Sequence, residues 1–284
     1  MTSVRDLDSA LSSIKAAARA LLSNPHRRGN LLHLPAEGEL LVTGDLHTDL
    51  DSFRRIVETA DLASRPRRHL ILQELVHGRD SAGGRCASCE LVEEAAALVE
   101  EFPERVHILM GNHEMAELTG RVIIKNGAAL NELFRACAQS RYGERYEEAL
   151  AYFRSFWRAL PLAARTRNRV FVSHSTPAAA HLEDFDLSVL ERPLEEADLH
   201  RGGAAYALCW GRDFSQEAAR RLRERFDADC FIVGHTPCEN GFSLPNGTHV
   251  ILDSQGPSGR YALLPPAGSL TCADVAGRIL PLWA

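Results

Sequence analysis

Glu39-Leu40-Leu41-Val42-Thr43-Gly44-Asp45-Leu46-His47 decides the fold. A short apolar, β-favouring run meets a glycine and then an acid and a histidine, so a buried strand hands polar chemistry to a loop. The pattern recurs along the chain. His69-Leu70-Ile71-Leu72 leads into Gln73-Glu74, and Val106-His107-Ile108-Leu109-Met110 into Gly111-Asn112-His113-Glu114. Val170-Phe171-Val172 reaches Ser173-His174, and Phe231-Ile232-Val233 reaches Gly234-His235. Strands are expected at 39–43, 69–73, 106–110, 170–173, 230–233, 249–252 and 261–264, with helical periodicity at 51–61, 90–102, 128–140, 144–159 and 215–226. Short buried strands alternating with helices make an α/β sheet protein.

Strand ends are where open α/β sheets bind ligands, because the loops there project side chains into one crevice. Asp45, His47, Glu74, Asn112, His113, His174 and His235 are therefore expected to converge from distant parts of the chain. Carboxylate and amide oxygens with imidazole nitrogens, and no thiolate, suit Mn, Fe, Zn or Mg. One carboxylate can bridge two such ions about 3.5–4 Å apart, the arrangement used for hydrolysing phosphate esters.

The 284 residues, 45% hydrophobic and 25% charged, exclude a disordered or fibrous chain. With a net charge of −6 nothing draws the whole chain to nucleic acid or anionic lipid, and no apolar run is long enough to span a bilayer. The first residues carry acids and no apolar signal core, so the expected location is cytoplasmic. Seven cysteines, an odd number scattered among apolar residues, argue against a disulfide framework. Cys86 and Cys89 have chelating spacing but no second pair, and two thiols at a helix start is the plainer reading. All but two of the 32 basic residues are arginine, so single arginines are argued by position. Val4, Leu7, Leu11, Ile14, Ala18 and Leu21 form one helical stripe, an accessory helix (1–30) packed on a main domain (31–284). The stretch 115–168 is nearly all helical in character and is expected to form an insert within that domain.

Gly44-Asp45-Leu46-His47, Gly111-Asn112-His113-Glu114, His174 and Gly234-His235-Thr236-Pro237 occur in the order of the motifs of the calcineurin-like metallophosphoesterases. The chain resembles the phosphoprotein phosphatase type within them, because Pro237 stands where diesterase-like members carry a further histidine. The resemblance spans about 39–254. It implies a four-layer α/β/β/α sandwich with two mixed sheets. It also implies two divalent ions, Mn foremost, one held by Asp45, His47 and Glu74 and the other by Glu74, Asn112, His174 and His235. Hydroxide between the ions would attack phosphorus directly, and His113 would protonate the leaving alkoxide. Arg212, in Trp210-Gly211-Arg212-Asp213, resembles an arginine that grips phosphate.

One motif departs from the family. Where members read GDxxDRG, this chain reads Gln73-Glu74-Leu75-Val76-His77-Gly78-Arg79. Glu74 replaces the bridging aspartate, Arg79 falls one place later than the family arginine, and His77 replaces the acid that orients the general-acid histidine. Glu114 or another carboxylate is expected to take over that last task. Asp253 is expected to support the site histidines from behind. The implied reaction is hydrolysis of a phosphomonoester, with phosphoserine or phosphothreonine in a protein as leading substrate. The alternatives are a nucleotide, dinucleoside-polyphosphate or small phosphoester, or a phosphate-binding regulator without turnover.

Overall fold

A computed structural model describes residues 6–78, 87–265 and 268–283. The strands are β1 (Arg27–Arg28), β2 (Leu31–His33), β3 (Leu40–Asp45), β4 (His69–Gln73), β5 (Val106–Leu109), β6 (Ile124–Lys125) and β7 (Ala128–Ala129). They continue with β8 (Ala163–Arg165), β9 (Val170–Ser173), β10 (Cys230–Val233), β11 (Phe242–Ser243), β12 (His249–Leu252), β13 (Arg260–Leu264) and β14 (Ile279–Pro281). The α-helices are α1 (Leu7–Leu22), α2 (Leu50–Ala60), α3 (Ala87–Glu101), α4 (Asn112–Thr119), α5 (Leu130–Tyr142), α6 (Tyr146–Arg158), α7 (Ala204–Trp210), α8 (Gln216–Phe226) and α9 (Cys272–Ala276).

Two mixed sheets form the body, one ordered β14-β13-β3-β4-β5 and the other β1-β2-β8-β9-β10-β12-β11. In the first, β3, β4 and β5 run parallel. In the second, β9, β10 and β12 run parallel. Both parallel cores are buried on both faces, which is why their sequences read as continuous apolar runs. Val42, Ile71, Leu109, Val172, Ile232, Val250 and Ala262 pack between the sheets. Leu41, Leu70, Leu72 and Ile108 face the helices outside the first sheet. Phe171 and Phe231 meet Phe226 of α8 outside the second. The result is the expected α/β/β/α sandwich. Each fully buried Leu, Ile or Val contributes about 1.5–3 kcal/mol of transfer free energy.

Helix α1 buries Leu11, Ile14, Ala18 and Leu21, the stripe expected of it, in the same core as α3 and α6. The stretch 115–168 holds more than helices: a β6–β7 hairpin turns at Asn126 and Gly127, both at positive φ, and β8 enters the second sheet. Cys230 and Cys272 form a disulfide with Cα atoms 5.1 Å apart, which corrects the expectation that the cysteines are not disulfide-paired. They are 42 residues apart in sequence, and only the docking of α9 against β10 brings them together. Among the described residues no helix is long and apolar enough to cross a membrane.

The sheets meet at the carboxyl ends of β3 and β12. Asp45 forms an isolated parallel bridge with Asp253, and Ser254 N–H donates to Asp45 O at 3.2 Å. Gly44 permits this approach, since a Cβ there would lie 2.0 Å from Leu252 O. At the opposite end of the first sheet, His69 Nδ1 lies 3.1 Å from His107 Nε2, with His26 edge-on to His69. Burial pushes His69 down to about 4 and His107 well below its ordinary value. The unfolded chain protonates such histidines near 6.5, before the native state does, so stability is full above that pH and declines as pH falls towards about 4. His69→Gln should therefore flatten the fall in denaturant midpoint between pH 6.5 and 4 relative to wild type. An unchanged slope would mean that His69 is not neutral in the native state.

Candidate active site

Five strand ends deliver the site. Asp45 closes β3, Glu74 follows β4, and Asn112 and His113 open α4 directly after β5. His174 follows β9, and His235 lies two residues beyond β10. The connecting loops are strained: His47, Glu74, His77 and His235 hold φ of 41°, 48°, 64° and 64°. Non-glycine residues in this region cost about 1–3 kcal/mol each, and surrounding bonds must hold them there. Leu46 and His47 N–H both donate to Glu74 O, at 3.1 and 2.8 Å, and Thr48 N–H donates to Leu75 O at 3.0 Å. Gly234 leaves room for Asp45, whose Oδ1 would lie 2.2 Å from a Cβ at that position.

The polar atoms converge. His174 Nε2 lies 2.7 Å from Glu74 Oε2 and 2.9 Å from Asn112 Oδ1, which is also 2.7 Å from His235 Nδ1. His174 Nδ1 is 3.6 Å from Asp45 Oδ1, and His47 Nε2 is 3.7 Å from Asp45 Oδ2. Asp45 also accepts from the His235 backbone N–H at 3.0 and 3.1 Å. Two triads, His47–Glu74–His113 and Asp45–Glu74–His174, each bring three ligand atoms within 4.8 Å of one another. Glu74 is common to both.

This cluster is poorly provided for by itself. His174 Nδ1 and His235 Nε2 are buried without a hydrogen-bond partner, and Glu74 Oε2 has only the close approach of His174 Nε2. Burial, and for Glu74 the neighbouring Asp45, push both carboxyl groups above their ordinary range. Glu114, buried beside Glu74, is pushed up to about 8. Burial drives His47 down to about 4 and depresses His113, His174 and His235 too. Neutral imidazoles with unpartnered lone pairs, facing carboxylates that repel one another, make a donor set suited to borderline and hard divalent cations.

Asp45, His47, Glu74, Asn112, His113, His174 and His235 thus come together as expected from their places at strand ends. Arg212 is exposed at the rim, its guanidinium donating to His235 O at 3.1 Å. Its charge helps depress His174 and His235. Arg79 and Cys86 lie outside the described residues, and Cys89 is a buried thiol near the start of α3. Asp253 accepts from Cys238 N–H at 3.1 Å through its Oδ2, and it acts on His47 by its charge. Glu114 does not reach His113: its Oε1 accepts from Leu75 and Val76 N–H. The carboxylate behind His113 is instead Glu117, which the sequence reading passed over. Lys125, on the β6–β7 hairpin, was also missed; its charge acts on His47 and His113. Neither carries a motif, although Glu117 falls one helical turn after His113.

The model of the calcineurin-like phosphoesterase family matches residues 39–239. The chain belongs to that family. A curated relative of this phosphoesterase, "Probable serine/threonine-protein phosphatase" of Encephalitozoon cuniculi, is 24% identical over 280 residues, covering 89% of this chain and 55% of the relative. The chain thus spans about half the length of that protein. Among solved structures it resembles a Saccharomyces cerevisiae serine/threonine phosphatase described as similar to human phosphatase PP5. The TM-score is 0.70 at 18% identity, over 99% of this chain and 91% of the other. It also resembles a cold-active protein-tyrosine phosphatase of a psychrophilic Shewanella, with a TM-score of 0.59 at 14% identity over 89% and 84%. At these identities the likeness is one of fold.

A cation that binds only the folded phosphoesterase stabilises it by mass action, about 2.7 kcal/mol at 100 times its dissociation constant. Titrating Mn²⁺ or Zn²⁺ into metal-free protein should therefore raise the denaturant midpoint, and Glu74→Ala should abolish most of that rise. An equal rise in both proteins would place the cation elsewhere.

Proposed function

We propose that this phosphoesterase is a dinuclear metal-dependent phosphomonoesterase whose leading substrates are phosphoserine and phosphothreonine in proteins. The observation that carries this reading is Glu74, shared by two ligand triads and buried with its Oε2 2.7 Å from His174 Nε2. Asp45 and His47 would hold one ion with Glu74; Asn112, His174 and His235 would hold the other with it. Bound there, two divalent cations, Mn first among Fe, Zn and Mg, would polarise the phosphoryl oxygens and make water acidic enough to deprotonate near neutral pH.

The chain's own residues supply the rest. His113 falls within the first triad, but Asp45, His47, Glu74, Asn112, His174 and His235 hold both ions without it, and its role is proton donor to the leaving alkoxide. Burial, the surrounding imidazoles and Lys125 depress its pKa in the ligand-free protein, and an incoming phosphate dianion favours the protonated form. Arg212 and Lys125 set positive charge at the mouth of a chain whose net charge is −6, so an anionic ester is drawn to this face. The planar fork of Arg212 suits two phosphoryl oxygens. The serine/threonine phosphatases named above support a phosphoprotein substrate over a nucleotide.

Phosphopeptides carrying phosphoserine, phosphothreonine or phosphotyrosine, nucleotides, and mono- and bis-p-nitrophenyl phosphate, assayed with added Mn²⁺, test the reading. Phosphoserine and phosphothreonine peptides should show the highest kcat/KM, and exhaustive chelation should abolish turnover. Turnover surviving chelation overturns it. His113→Ala should lower kcat on a serine phosphopeptide by about 10²–10⁴-fold with metal content kept, and by much less on p-nitrophenyl phosphate, whose leaving group scarcely needs a proton. Loss of metal in that variant would make His113 a ligand instead. Arg212→Ala should raise KM and lower kcat/KM, with Arg212→Lys recovering only part because an ammonium cannot make the bidentate contact. Unchanged kinetics would return Arg212 to the solvated surface.

A further inference from the structure

We propose that Glu117 and His77 are positioning residues that hold His113 in its working tautomer through a carboxylate–imidazole–imidazole chain. Glu117 thereby does at one remove what a single acid does elsewhere in the family. The inference rests on the phosphatase reading for its kinetic consequence, and on geometry for the rest.

Glu117 Oε1 lies 2.7 Å from His77 Nε2, and His77 Nδ1 lies 3.1 Å from His113 Nδ1. The three side chains are buried, with 9%, 3% and 8% of their residues' surfaces exposed. Glu117 is itself anchored: Asn131 Nδ2 donates to the same Oε1 at 2.7 Å, and Asn131 Oδ1 accepts from Ile123 N–H at 2.8 Å. The network therefore runs from the base of the β6–β7 hairpin to His113. His77 is gripped further by the edge of Phe134, 6.0 Å between ring centroids.

Protons can be assigned along this chain. A carboxylate only accepts, so His77 carries its hydrogen on Nε2. A neutral imidazole then has a bare Nδ1, and the 3.1 Å contact requires His113 to donate from its own Nδ1. His113 Nε2 is left as the nitrogen that holds and releases the proton for the leaving group. In the protonated state both His113 nitrogens carry hydrogen, and the carboxylate of Glu117 faces that charge through His77. When the leaving oxygen takes the Nε2 proton, His113 returns to the neutral Nδ1–H form and no hydrogen moves in His77 or Glu117.

An aspartate at position 77 would act directly. Asp Oδ branches from Cγ as His Nδ1 does, and aspartate tolerates the left-handed backbone that His77 adopts at φ 64°. This makes the proposal separable from mere packing. Glu117→Gln removes the charge and lets an amide donor face His77. It should lower kcat on an alkyl phosphomonoester about 10- to 100-fold with KM and metal content near wild type, and much less on p-nitrophenyl phosphate. His77→Asp added to Glu117→Gln should recover most of that loss. In metal-free wild type, two-bond ¹H–¹⁵N NMR of labelled histidines should find His77 protonated at Nε2 and His113 at Nδ1. Equal losses on both esters, no rescue, or His113 in the Nε2–H form would overturn the proposal. If wild type hydrolyses neither ester, the phosphatase reading fails instead. The NMR tautomers then decide the network alone: the stated pattern upholds it, and its reverse overturns it.

Discussion

Asp45 and Glu74 are two carboxyl groups buried among imidazoles at the seam between two sheets, and the architecture around them follows from that constraint. Burial lifts the pKa of both, and Asp45 lifts that of Glu74 further, so neither is comfortable as an anion without a counter-charge. The nearby histidines do not supply one, because the same burial holds them neutral. A folded protein keeps such a group only where something else uses it. Here three ligand atoms in each of two triads lie within 4.8 Å of one another, which suits gripping a cation better than packing.

Holding that arrangement takes the whole sandwich. Parallel strands put five chain segments at one edge, and the bridge between Asp45 and Asp253 ties the second sheet to the first where their strands end. Left-handed residues at 47, 74, 77 and 235 turn the chain sharply after each strand, and crossed bonds between the loops after β3 and β4 keep them so. The strain sits beside a core buried on both sheet faces, which has the rigidity to bear it. Around this edge lie the cationic groups of Arg212 and Lys125, on separate elements with no part in the core.

Much of this was legible because a buried parallel strand is a continuous apolar run, and its end is marked where polar residues abruptly begin. β4, β9, β10 and β12 were read to the residue for that reason. The short strands β1, β2, β8 and β14 were not, since two or three residues carry no period of their own. The contribution of Cys230 and Cys272 to a disulfide was equally hidden, for spacing says nothing about which helix docks on which strand. Asp253 was legible as a residue near the histidines, but its bond to Cys238 N–H depends on a turn that only the fold supplies.

Sequence alone determined the candidate ligands that the fold brings together: a metal site of this kind needs a set of residue types at strand ends, and both the types and the strand ends are local properties. It also exposed the departure at 73–79, where Glu74 and His77 replace the acids the family uses. Only the tertiary structure decided how that departure is accommodated. Glu117 lies 40 positions from His77, and its carboxylate reaches that ring because α4 returns over the loop after β4. Such a contact depends on the angle between a helix and a strand end, to within an ångström. No residue pattern encodes that angle; the packing of the two sheets and their helices sets it.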